Sequence, residues 1–352
     1  MAPLRLHCQP MPVTTDTLLG DLLKRVSRSF YLSLRILPPG LRAPVSLAYL
    51  LARAADTIAD TPGRPAAQRL AQLLSWREQV GGSLPWQPID AGTPTDADEA
   101  ALMAALPEAL DLLRHQPAAD TADIRRVVMT LTDGMCFDLR HFEHGVAGAP
   151  VPLRTRAELD RYTYLVAGCV GEFWTDIAMR HRRELQAWPR DTMVAQGVAY
   201  GQALQLTNVL RDAAEDLANG RCYLPAELLA GHGLAVADLS DPARRAAARP
   251  LLVALSTQAL AGYREGVDYV LRIPAGSLRL RLASLWPLML GLRSLELLLT
   301  APGWLDPARR VKVTRGAVYR MLLRSLPTAL STTALQRWTG AALARTEAAC
   351  RA

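Results

Sequence analysis

The 352-residue chain is half hydrophobic, about a fifth charged, and carries a formal net charge of +7. That apolar share excludes an intrinsically disordered chain and is enough for a sizeable core. The cationic surplus is mostly scattered arginine, with no lysine-rich tail and no basic run interleaved with aromatics, which argues against nucleic acid as a partner.

The opening MAPLRLHCQPMPV has prolines where a signal peptide needs an apolar run, so residues 1–19 are expected to be a flexible leader. From there on, apolar residues recur three and four apart in stretches rich in Ala, Leu, Arg and Glu, and period-two strand patterns are nearly absent. Breakers at Pro62-Gly63, 81–98, 145–152, Asn219-Gly220, 231–233 and 301–307 cut the chain into helical segments. None reads as a long interdomain linker. The expectation is a single all-α domain over residues 20–330, a helical bundle around a central cavity, followed by a helical tail, 331–352. The best apolar run, Ala283 to Leu292, spans only ten residues before Arg293, so no transmembrane helix is expected. Cys8, Cys136, Cys169, Cys222 and Cys350 are odd in number, far apart and form no C-x-x-C pair. Reduced thiols in a cytoplasmic protein are the expectation.

Two helices carry the chemistry. The first is expected to start near Pro44 and stop before Pro62-Gly63. Within AYLLARAADTIAD, the spacing of Tyr49, Arg53, Asp56 and Asp60 puts all four on one face, among Leu50, Leu51, Ala54, Ala55 and Ile58. The second is expected to be capped by Asp191 and to end at Asn219-Gly220, about 40 Å long at its rise per residue. Gly197 and Gly201 weaken it by about 1 kcal/mol each relative to Ala, which points to close packing against a neighbour. In GQALQLTNVLRDAAEDLANGRCYLP, Gln205, Asn208, Asp212 and Asp216 form a second stripe, with Arg211, Arg221 and Tyr223 nearby.

Like charges four apart destabilise a helix, and burying them without a cation costs far more, so something positive belongs between the stripes. Hard divalent cations such as Mg²⁺ favour carboxylate, phosphate and water oxygens. Two such stripes would hold Mg²⁺ and, through it, a diphosphate, with Arg53, Arg211 and Arg221 neutralising the rest of its charge. The chemistry implied is ionisation of an allylic C–O bond in an apolar, water-poor cavity. A lone D-x-x-x-D is usually a solvated face, but two in apolar helices, each with arginine at hand, point to function.

Other features read more plainly. His141 and His144 lack the further ligands a zinc site needs and read as a solvated helix end. Cys136, Cys169 and Cys222 read as small buried residues. The apolar stripe Leu285–Leu299 reads as core or cavity wall. Tyr263 is a candidate for the substrate cavity from its place in a late helix before Val267 and Asp268.

At these residues the chain resembles the squalene/phytoene synthase family, over about residues 20–325. SRSFYLSLRILPPGLR is similar to the family's opening helix, with Ser27, Ser29 and Phe30 at its diphosphate-contacting positions. DTIAD and NVLRDAAEDLANGRCYLP resemble its two aspartate-rich motifs. YTYLVAGCVG, with Tyr164, resembles a block that lines the reaction cavity, and TDGMCFDL, with Asp133 and Asp138, resembles a further one. The resemblance implies the all-α isoprenoid-synthase fold and head-to-head condensation of two farnesyl diphosphates through presqualene diphosphate. YLLARAADTIAD and RVKVTRGAVYRMLL are similar to the squalene-forming branch, which implies reduction by NADPH held by Lys312 and Arg315. In the branches that form dehydrosqualene, hydroxysqualene or phytoene, no reductant is needed. Thr314 departs from the family's basic pattern in that segment, and no G-x-G-x-x-G loop exists, so an NADPH site here is not a Rossmann one. The apolar products imply peripheral membrane contact at the inner face. Two other readings compete. A terpene cyclase would carry N-x-x-x-S-x-x-x-E where this chain has D-x-x-x-D. A non-catalytic helical module binding membrane surfaces has no need of four aspartates in apolar helices.

Overall fold

A computed structural model describes residues 17–27, 31–61, 63–92 and 96–352. A π-helical turn, Thr17–Leu22, leads into α1 (Leu23–Ser27), α2 (Tyr31–Ile36), α3 (Pro39–Asp60) and α4 (Ala66–Gly81). Then come α5 (Ala97–Ala104), α6 (Leu106–Arg114) and the long α7 (Ala118–His141). After a loop, α8 (Arg156–Thr163) runs through a second π-helical turn, Tyr164–Gly168, into α9 (Cys169–His181), followed by α10 (Arg190–Ala218). Two short helices, α11 (Ala226–Gly231) and α12 (Val236–Ser240), precede α13 (Arg249–Arg272), α14 (Leu278–Thr300), α15 (Arg315–Thr328) and α16 (Thr332–Arg351). The described chain is all-α, as expected, apart from one two-stranded parallel ladder. In it β1 (Val151–Pro152) pairs with β2 (Arg221–Cys222), Val151 opposite Arg221.

Helix boundaries follow local chemistry. The first stripe helix starts earlier than its sequence suggests: Pro39 takes the first helical position after Pro38, and Pro44 lies inside α3. A proline in the first turn loses nothing, because its missing N–H would have no partner there. Pro44 is tolerated only one turn further in. The second stripe helix starts at Arg190, so Asp191 is not its cap; the carboxylate sits in the first turn, where the helix dipole favours it. It ends at Asn219, and Gly220 takes a φ of 80°, as the Asn-Gly pair predicts.

Packing sorts the helices around two apolar clusters. One gathers Leu47, Leu50, Leu51 and Ile58 of α3 with Trp76 of α4 and Val128 of α7, and the Trp76 indole donates to the Leu51 carbonyl at 3.2 Å. The other gathers Leu206, Val209 and Leu210 of α10 with α13, α14 and α16. Helix α14 is long and apolar enough by length and composition to cross a membrane, beyond what its ten-residue run suggests, yet 61% of its most apolar window is buried inside the fold. The buried Arg281 near its start donates to the carbonyls of Ile273 and Ala329 and to Thr332 Oγ1, tying it to the ends of α13 and α15. Leu335, Trp338 and Ala342 of α16 belong to the second cluster, so residues 332–351 join the bundle rather than trail from it.

Helix α10 lies between α9 and α13 at backbone contact. A Cβ on Gly197 would meet the Gly171 carbonyl oxygen at 2.8 Å, and one on Gly201 the Ala167 carbonyl oxygen at 2.5 Å. The glycines that weaken the helix by propensity are what lets it approach its neighbours. Alanine at either position gains about 1 kcal/mol of helix propensity but forces rigid backbone apart, at about 1–3 kcal/mol. Gly201→Ala is therefore expected to lower the thermal denaturation midpoint by several degrees; an unchanged or raised midpoint would show that the contact does not constrain α10.

Candidate active site

The two stripes line a single cavity of about 840 Å³. Asp56 and Asp60 enter from α3, Gln205, Asn208, Asp212 and Asp216 from α10, and Asp138 from α7, which runs past both. Arg69 of α4, Glu143, Asn219, Arg221 of β2 and Tyr223 just after it add to the polar part. Leu131, Met135, Val166 and Val209 supply apolar wall. The ladder explains the aim of Arg221 and Tyr223: residues two apart in a strand share a face, so both reach the cavity while Cys222 between them is buried.

Each carboxylate has a distinct setting. Asp56 is pushed up to about 6 by burial and by the charge of Asp60, against the pull of Arg53, with which it pairs. Arg53 also donates to Glu99 Oε1 at 2.6 Å, a partner that sequence spacing does not suggest. Asp216 is pushed up to about 6, again by burial first; Arg221 at 3.7 Å opposes the shift and Asp212 adds to it. Asp212 is held bidentately by Arg211 at 2.9 and 2.6 Å. Asp138 goes furthest, to about 7, because burial outweighs the hydrogen bond from Tyr223. Its Oδ2 accepts from the Tyr223 hydroxyl at 2.6 Å and from Tyr162 at 3.4 Å, and the two phenol rings stack at 4.7 Å.

This setting fits a divalent cation carrying a diphosphate. The lining donors are hard oxygens, with no thiolate or imidazole among them. Among the described residues no three His, Cys, Asp or Glu side chains lie close enough to hold an ion alone, so phosphate oxygens and water must complete its shell. Buried polar atoms without a partner point the same way: Asp138 Oδ1 wants a cation or proton, and the Nε–H groups of Arg69 and Arg221 want an anion.

Several expected site residues stand elsewhere. Tyr263 is fully buried beneath α10, its hydroxyl 2.8 Å from Thr207 Oγ1, and does not reach the cavity; a core position outweighs its place in sequence. Tyr164 does not line the cavity either: its hydroxyl donates to Glu172 Oε2 of α9 at 3.3 Å. Tyr162 and Val166, four apart, take the cavity face instead. Asp133 is paired with Arg77 at 2.7 Å and lines a separate recess with Arg140 and Arg161. Ser27 is buried and donates to the Leu23 carbonyl at 2.5 Å, and the Tyr49 hydroxyl lies 3.5 Å from the Val26 carbonyl; neither lines the cavity. Arg53 and Arg211 stand behind the carboxylates they pair with rather than in the lining. Ser29 and Phe30 lie outside the described residues. Lys312 and Arg315 are exposed, away from the lining. His141 is not a solvated end: its Nε2 lies 2.8 Å from the Pro152 carbonyl and its ring stacks on Phe137. Cys136, Cys169 and Cys222 are buried and free.

Tyr162 and Arg69 are cavity residues that sequence reasoning missed. Tyr162 opens the segment YTYLVAGCVG and could have been found by four-residue spacing to Val166. Arg69 carries no local signal, because only the turn of α4 against α3 brings it to the Ala59 carbonyl.

The raised carboxylates set a pH dependence. Between the ordinary carboxyl value near 4 and about 7, folded Asp138 holds a proton that the unfolded chain has lost, so its contribution to stability falls as pH rises through that window. Asn at this position mimics the protonated form. Without metal, the melting midpoint of Asp138→Asn relative to wild type is expected to be higher at pH 8 than at pH 5; a difference that does not change with pH would place the Asp138 titration near its ordinary value.

The sequence profile described as Squalene/phytoene synthase matches residues 23–317. Among curated relatives, a presqualene diphosphate synthase of Zymomonas mobilis is 30% identical over 305 residues, covering 85% of this chain and 89% of its own. A phytoene synthase of Thermus thermophilus is 41% identical over 136 residues, 39% of this chain and 44% of its own. Among solved structures, TcSQS in complex with the ligand BPH1237 superposes with a TM-score of 0.75 at 22% identity, covering 94% of this chain and 90% of that one. A dehydrosqualene synthase complex gives 0.61 at 23% identity, covering 88% and 95%. These two show the fold. With the profile spanning most of its length, the chain belongs to the squalene/phytoene synthase family, a family of prenyltransferases.

Proposed function

We propose that this protein condenses two farnesyl diphosphates head-to-head to presqualene diphosphate, with Mg²⁺, and carries the product on to squalene with NADPH. The observation that carries the first step is the single cavity into which Asp56, Asp60, Asp212 and Asp216 project from two helices, with an apolar wall beside them. A related presqualene diphosphate synthase, similar over most of both chains, supports the same step.

The residues divide the work. Asp56 and Asp60 on one wall, and Asn208, Asp212 and Asp216 on the other, would hold Mg²⁺, which when bound draws charge off a leaving diphosphate. Arg221 and Arg69 bring unused guanidinium donors to the diphosphate oxygens, and Gln205 adds an amide. Arg53 and Arg211 hold Asp56 and Asp212 in place. Leu131, Met135, Val166 and Val209 exclude water from the allylic cation left when the C–O bond breaks. The faces of Tyr162 and Tyr223 offer that cation electron density. Bond formation to the second prenyl chain, followed by proton loss, closes the cyclopropane ring, and Asp138, when ionised, would take up the proton through its unpartnered Oδ1.

The reductive step rests on a different observation. The segment holding Lys312 is tied to the second stripe helix by an ion pair of Arg310 with Glu215, 2.9 Å apart and one residue before Asp216. Lys312 and Arg315 make no ion pair among the described residues, which leaves them able to hold a phosphate of NADPH.

Asp56→Ala and Asp212→Ala should each lower turnover of farnesyl diphosphate at least about a hundredfold in a folded protein. Near-normal turnover in either would remove the two-stripe site. Product analysis with Mg²⁺ should show squalene when NADPH is present and presqualene diphosphate when it is absent. Presqualene diphosphate under both conditions would confine the protein to the first step, and dehydrosqualene, hydroxysqualene or phytoene without reductant would move it to another branch.

A further inference from the structure

Helix α15 is amphipathic, but only one of its faces is used by the fold. Its inner face packs Met321 and Leu322 against the Leu282–Trp286 cluster of α14, and the Trp286 indole donates to the buried Ser325 Oγ at 2.9 Å. On its outer face Tyr319, Leu323 and Leu326, with Leu330 just beyond its end, are spaced four, three and four apart and form one stripe. Their exposures are 64%, 70%, 47% and 61%, so nothing among the described residues covers them. Four of the nine large apolar residues exposed among the described residues thus fall within twelve positions. A scattered exposed leucine needs no explanation, whereas a continuous stripe does.

Charge indicates what covers the stripe. From Pro307 to Thr346 the chain carries eight basic residues and no acidic one. Arg320 and Arg324 on α15 are exposed and make no ion pair among the described residues, Arg324 resting over the Trp338 ring. An apolar stripe flanked by unpaired cations fits an anionic phospholipid surface, where the leucines enter the acyl boundary and the arginines meet headgroup phosphates. A second copy of the chain docked on the same face would bring like charges together. A nucleic acid would leave three leucines without an apolar partner.

We propose that the outer face of α15 seats the protein on an anionic phospholipid bilayer, Tyr319, Leu323, Leu326 and Leu330 inserting between headgroups and the flanking arginines binding their phosphates. The inference does not depend on the reaction assigned to the cavity, and binding is measured without substrate or metal, so the two readings fail separately.

The full chain is mixed with neutral phosphatidylcholine vesicles or with vesicles containing about a third phosphatidylglycerol, then sedimented. It is expected to pellet with the anionic vesicles and to be released by high salt. Leu323→Asp and Arg320→Ser, both at exposed positions, should each weaken anionic-vesicle binding about tenfold while leaving the melting midpoint unchanged. No binding, equal binding to neutral and anionic vesicles, or binding that survives both substitutions would overturn the proposal. So would a dimer in solution that Leu323→Asp dissociates without any vesicle binding, which would assign the face to a second copy.

Discussion

Carboxylates crowded around a partly dry cavity are the constraint on which the rest of this structure depends. Asp56, Asp138 and Asp216 all stand above their ordinary pKa, chiefly because they are buried, and Asp56 and Asp216 also because another carboxylate on the same helix repels them. Such an arrangement persists only where the surrounding fold over-determines it and where a cation or a proton relieves it. The apolar clusters on either side supply the first condition. The proposed function supplies the second: a site whose carboxylates are crowded when empty is one that would gain most from a metal-bound diphosphate.

The scaffold meets this demand by making α3 and α10 rigid. Each is clamped by a different apolar cluster, and α10 is pressed to its neighbours at glycine contacts too close for any side chain. Rigidity matters because the proposed ligand shell is divided between walls. Among the described residues no wall holds an ion alone, so spacing between helices, rather than along either one, sets what can bind. The short β1–β2 ladder plays a similar part on a smaller scale, fixing the strand that turns Arg221 and Tyr223 inward.

A division of labour also shows at the surface. The Leu282–Trp286 cluster is closed on one side by α15, whose inner face is tied in through Ser325 and Trp286 and whose outer face remains apolar and cationic. Helix α14 beneath it is apolar enough to be mistaken for a membrane span, but its burial identifies it as core. Composition alone cannot separate these two roles, because a core helix and a spanning helix are both apolar on most sides.

The sequence by itself determined the helical class, the two carboxylate stripes and the close-packing role of Gly197 and Gly201. All three are local: a helix's period is written in three- and four-residue spacing, so residues sharing one face can be read without a partner. Tertiary structure alone decided which side chains meet. It brought Asp138 and Tyr162 to the cavity beside the stripes, buried Tyr263, turned Tyr164 toward Glu172, and drew Arg69 in from α4. Those outcomes depend on how helices far apart in sequence rotate and approach one another, and that is set by the summed packing of both clusters rather than by any short run of residues.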